Sequence, residues 1–182
     1  MLPATPLRLT RLAMMAASYL ILPLATAAAH AGPDDFGPGP LIPDYGQIAP
    51  VDMTRPLPAG AFFQIAFDTA TRSETDSLNR TLTSAARFLN MHVANGIDAE
   101  NLHLAIVIHG GAVHDVASET AAGNADLIET LLAHGVRIIV CGQSAAYHDV
   151  SREDLLPGVE MALSAMTAHA LLQRNGYTLN PF

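Results

Sequence analysis

The chain reads as an alternating α/β protein with a parallel sheet covered by helices on both faces. Three observations carry this. Short, largely apolar runs are bounded by polar or glycine-rich punctuation, as buried strands require. Segments with apolar residues at helical spacing separate these runs. Strand and helix then alternate to the C-terminus, the pattern that builds parallel strands through right-handed crossovers.

The elements follow in order. Ala61-Phe62-Phe63-Gln64-Ile65-Ala66-Phe67 is the first strand, ending at Asp68-Thr69. Leu78, Leu82, Ala85, Ala86, Leu89 and Val93 then recur on one helical face, with Ser73, Thr75 or Asp76 as candidate caps and Gly96 as the stop. Leu102-His103-Leu104-Ala105-Ile106-Val107-Ile108 is the second strand, ending at His109-Gly110-Gly111. Leu127, Ile128, Leu131 and Leu132 mark a second helix, capped by Asn124 and ended by Gly135. Val136 to Val140 forms the third strand, and Cys141-Gly142-Gln143-Ser144 turns it into a helix expected over Ser144 to Leu156, before Pro157-Gly158. Val159 to Leu163 is a fourth strand, and Ser164 to Asn175 a terminal helix ending at Gly176.

Residues before this domain divide in two. Arg8 and Arg11 precede an apolar stretch, Leu12 to Ala25, and the small residues Ala29-His30-Ala31 stand before Gly32. That order predicts a secretory signal peptide over 1–31, cleaved after Ala31, and a periplasmic or secreted protein. No later stretch is long enough to span a membrane. Residues 32–60 hold seven of the twelve prolines and show no apolar periodicity, so they read as an extended arm lying across the domain or a neighbouring subunit. Residues 61–182 form the single domain.

All nine basic residues are arginine, and two fall in the signal. Seven arginines then face seventeen acids, a formal charge of −10 for residues 32–182, which argues against nucleic acid and anionic lipid as partners. The nucleotide-binding glycine patterns, a C-x-x-C pair and a G-x-S-x-G elbow are all missing from the sequence, which weakens nucleotide, dithiol and serine-hydrolase readings.

The remaining chemistry converges on one edge. Loops after successive parallel strands meet at their carboxyl ends, so Asp68 to Thr75, His109 to Asp115 and Cys141 to Ser144 are expected neighbours. Cys141, the single cysteine, sits where a helix N-terminus favours a thiolate, and an imidazolium from His109 or His114 would favour it further. Gly110 and Gly111 permit close backbone approach, and with Gly142, Gln143 and Ser144 they are the candidate ligand-binding positions. A packed, inert cysteine is the competing reading, since free cysteine often behaves as a small hydrophobe. Thiolate plus the imidazoles of His109, His114 and His148 would also suit zinc or copper, although no spacing resembles a closed metal site. His92, His103, His134 and His169, on helices or a strand, are assigned structural roles.

His109-Gly110-Gly111, Asn124 with Leu127-Ile128, and Val140-Cys141-Gly142-Gln143-Ser144 through Leu155-Leu156-Pro157-Gly158 to Gly176-Tyr177 together resemble the DsrE/DsrF-like family, in its exported branch. The resemblance runs from about Ala61 to the C-terminus. It implies a three-layer α/β/α domain with a mostly parallel sheet of four to five strands, assembled as a homotrimer or hexamer. It also implies sulfur relay, with Cys141 at the position that carries a persulfide and a sulfur donor or acceptor protein or small thiol as partner. The Gly142-Gln143-Ser144 continuation differs from that of the cytoplasmic relay members. No cofactor or metal is expected. A small-ligand or metal-binding module without turnover, and a structural oligomer with a packed cysteine, are the alternatives.

Overall fold

A computed structural model describes residues 32–121 and 123–180. The expected signal peptide, 1–31, lies outside the described residues. Strands β1 (Phe63–Thr69), β2 (Leu102–Ile108), β3 (Arg137–Cys141), β4 (Glu160–Ala162) and β5 (Thr178–Asn180) form one sheet in the order β4-β3-β2-β1-β5, every pairing parallel. Helices α1 (Arg80–Ala94), α2 (Asn124–Ala133), α3 (Gly142–Tyr147) and α4 (Ala165–Arg174) connect them.

Alternation along the strands divides the core in two, because successive side chains point to opposite faces. Phe67, Leu104, Ile106, Ile108, Ile138 and Val140 face α1 and α2, in a cluster with Leu82, Leu89, Leu127 and Leu131. Ala66, Ala105, Val107 and Ile139 face the other way, against Ala168 and Leu172 of α4. The second face is built largely of small residues, so a single helix lies close against it. The same parity puts Asp68, His109 and Cys141 on the α4 face, at the ends of β1, β2 and β3.

Three local expectations are corrected. The first helix is capped by Asn79, whose side chain accepts from the Thr81 amide at 2.9 Å, rather than by Ser73, Thr75 or Asp76. Ser73 instead donates both its backbone N–H and its hydroxyl to Asp115, which is 2% exposed and also receives the Asn79 amide group. Asn124 is the first residue of α2, not its cap; its side chain accepts from the Asn79 backbone and donates to Ser73, tying the starts of α1 and α2 together. The helix expected over Ser144 to Leu156 covers only Gly142 to Tyr147. Asp149, at φ 56°, leaves the helical region, and the chain then runs back so that Leu156 N–H meets Val116 O at 3.0 Å.

Residues 32–60 dock on this domain. Asn90 of α1, fully buried, accepts from the Leu41 and Ile42 amides and donates to the carbonyls of Ile42, Tyr45 and Gly46. Ile42, 2% exposed, joins the α1-side core. A polar side chain inside a helix interface is costly unless fully bonded. Here it supplies the bonds that an irregular segment cannot make for itself.

Candidate active site

Cys141 ends β3 and is the N-cap residue of α3, with extended dihedrals (φ −69°, ψ 110°). Its Sγ accepts the Ser144 amide at 3.4 Å. Ser144 Oγ in turn accepts the Gly110 N–H at 3.0 Å, which leaves the hydroxyl proton free for the sulfur and locks the β2 loop to the start of α3. Burial raises the Cys141 pKa, but the Ser144 hydroxyl and the amides of Ser144, Ala165 and Gln143 outweigh it, so the thiol lies below its ordinary value. The donors come from two helix starts, α3 and α4. They meet at one sulfur because parallel strands β3 and β4 end side by side, Cys141 opposite Ala162.

Two glycines make the approach possible. A Cβ on Gly142 would sit 2.7 Å from Ala162 O, and one on Gly110, whose φ is 52°, would sit 2.9 Å from Ala70 O.

A cleft of about 340 Å³ opens over the sulfur, lined by Asp68, His109, Gln143, Met166 and His169 among others. Asp68 is its electrostatic centre. Its Oδ2 accepts His109 Nε2 at 3.0 Å and its Oδ1 accepts His169 Nε2 at 2.6 Å. Burial raises the Asp68 pKa, the two imidazole bonds lower it, and the balance lies below the usual carboxylate range. Asp68 is therefore ionised at neutral pH, and each imidazole donates through Nε2.

The expected residues are brought together only in part. His109 shares the cleft with Cys141, and Gln143 and Ser144 flank the sulfur. Gly110 meets Ser144, whereas Gly111 packs near Ala70 and Arg72. His114 does not line the cleft: its ring meets that of His148 edge-on, centroids 5.0 Å apart. Burial, Arg72 and His148 hold its pKa below the ordinary value against the opposing pull of Asp115. With His114 and His148 apart from the sulfur, the expected zinc or copper ligand set does not converge, and among the described residues no group of three histidine, cysteine or carboxylate side chains is placed to hold a metal ion. Cys141 is enclosed, the residue being 6% exposed, and Ser164, Ala165 and His169 line the cleft beside it.

His169, assigned only a structural role from the sequence, lies on a helix as expected but lines the cleft. The signal was present: Ala165, Ala168, His169 and Leu172 share one face of α4, so a histidine on that stripe points at the sheet.

Residues 62–181 match the DsrE/DsrF-like family. Two solved structures share the fold. A protein of unknown function, MTH1491 from Methanobacterium thermoautotrophicum, superposes with a TM-score of 0.53 at 17% identity, over 66% of this chain and 99% of that one. The ychN protein from E. coli gives 0.52 at 17% identity, over 66% and 100%. No curated protein matches the sequence.

Proposed function

This chain belongs to the DsrE/DsrF-like family, and from that premise we propose that it is an exported sulfur carrier that holds sulfane sulfur as a persulfide on Cys141. Family membership suggests sulfur relay. The observation that carries the step from family to residue is the set of hydrogen bonds converging on one thiol at the floor of a cleft. Thiolate, not thiol, attacks sulfur, and those donors favour it.

The chemistry needs nothing beyond a donor persulfide. Cys141 Sγ⁻ attacks the outer sulfur of R–S–SH; a new S–S bond forms at Cys141, the donor's S–S bond breaks, and R–S⁻ leaves. Transfer onward is the same step in reverse, with an acceptor thiolate attacking the outer sulfur on Cys141. A single cysteine suffices, because no disulfide forms in the cycle.

Mass spectrometry of protein isolated without reductant tests the reading. A sulfane adduct on Cys141 that reductant removes is expected, and Cys141→Ser should lack it while keeping the wild-type fold by circular dichroism. A wild-type protein that stays unmodified after incubation with hydropersulfides would overturn it.

A further inference from the structure

We infer that the cleft takes a hydropersulfide, R–S–SH, rather than an oxyanion sulfane donor, and that His109, positioned through Asp68 by His169, carries the thiol proton to the leaving thiolate. This rests on the persulfide reading of Cys141 and specifies the substrate class and proton path of that same site.

The two imidazoles are not equivalent. His169 Nε2 is held by Asp68 at 2.6 Å, and its Nδ1 is buried with no hydrogen-bond partner among the described residues. Neither nitrogen can exchange a proton with a molecule in the cleft. His109 uses Nε2 on the same carboxylate, but its side chain is 32% exposed and Nδ1 bonds no described residue, so Nδ1 is available. Asp68 therefore resembles the orienting acid of a nucleophile–imidazole–carboxylate relay, fixing the tautomer of His109 and offsetting the charge when Nδ1 is protonated. His169 occupies the second carboxylate oxygen and stops Asp68 from rotating away. Asp68 and His169 are positioning residues, and His109 is the group that meets substrate.

The titratable groups facing His109 across the cleft are Asp68 from β1, Cys141 from β3 and His169 from α4; the lining holds no arginine, and the chain has no lysine. A dianion such as thiosulfate, which would release sulfite, meets a carboxylate and no fixed cation. A hydropersulfide can enter uncharged. Its leaving group is an alkyl thiolate with an ordinary pKa of about 8.5, which gains from protonation near neutral pH. The steps balance: Cys141–SH gives its proton to His109 Nδ1; Sγ⁻ takes the outer sulfur as the donor's S–S bond breaks; and R–S⁻ takes the proton back from Nδ1. The sum is Cys141–SH + R–S–SH → Cys141–S–SH + R–SH, with no oxidant and no net change at His109.

The test is the rate of persulfide loading on full-length protein, followed by mass spectrometry across pH, with cysteine hydropersulfide and with thiosulfate as donors. Loading by the hydropersulfide at least about tenfold faster than by thiosulfate is expected. Asp68→Asn and His169→Leu should each slow hydropersulfide loading about tenfold near neutral pH and flatten its pH profile there, whereas His169→Gln, whose amide still donates to Asp68, should restore most of the rate lost in His169→Leu. Thiosulfate loading as fast as hydropersulfide loading, or wild-type profiles in both Asp68→Asn and His169→Leu, would overturn the inference and leave the carrier reading standing. Failure of wild-type protein to load from either donor would overturn the carrier reading itself.

Discussion

Ser144→Ala isolates the electrostatics of the thiol. The wild-type hydroxyl does two jobs: it accepts the Gly110 N–H at 3.0 Å and is one of four donors holding the Cys141 pKa down. The substitution removes one donor to the thiolate and leaves the amides of Ser144, Gln143 and Ala165 in place. A hydrogen bond to a charged group contributes about 1.5–3 kcal/mol, and the low end applies to sulfur, a weak acceptor. One pKa unit corresponds to about 1.4 kcal/mol, so the thiol pKa should rise by about one unit. The sign follows from which form is bonded: the lost donor favoured the anion, so the thiolate is populated only at higher pH. Second-order alkylation by iodoacetamide across pH 5–10 reads this directly, with the midpoint displaced upward by about one unit and the rate below the wild-type midpoint about tenfold lower. The alkaline plateau should not fall, because the thiolate itself is unchanged. The Gly110 amide loses a partner at a partly exposed site, a cost of about 1 kcal/mol that leaves the protein folded. An alkylation profile that overlays the wild type would refute the reasoning, since the sulfur would then owe nothing to Ser144.

Two further predictions concern the arm and the assembly. Asn90→Ala strips the bonds to Leu41, Ile42, Tyr45 and Gly46 and leaves the buried Ile42 amide and the part-buried Leu41 amide unpaired, a loss of about 2–4 kcal/mol. Limited proteolysis should then cut within 32–60 at protease levels that leave the wild-type arm intact, and equal resistance would show that the clamp is dispensable. The composition is apolar and low in charge, and Tyr147, Leu163 and Met166 are 84%, 72% and 80% exposed, so light scattering at micromolar concentration should find a homo-oligomer. A monomer would refute this.

Much of the architecture is local and therefore legible in sequence. The largely apolar runs 63–67, 102–108 and 136–140 read as buried strands, and glycines 96, 135 and 176 end their helices at positive φ as their positions suggest. The placement of Cys141 at a strand-to-helix turn followed from the same reasoning. So did the meeting of the loops after β1, β2 and β3, since parallel strands end on one edge.

The tertiary structure decided what stands around the sulfur. Strand parity put Asp68, His109 and Cys141 on the α4 face, and that face is closed by a histidine 101 positions along the chain from Asp68. No local pattern pairs those two residues. Their bond exists because the small side chains of Ala66, Ala105 and Ala168 let α4 lie close to the sheet. His114, which looks equivalent to His109 in sequence, is carried off by a 3-10 turn over Gly110 to Asp115 that buries Ala112 and Val113. The sequence by itself determined the first four strands, their shared edge and the place of Cys141 on it, because each depends on neighbours a few residues away. Which imidazoles stand beside the thiol, and how far it is enclosed, were decided only when the sheet and α4 packed.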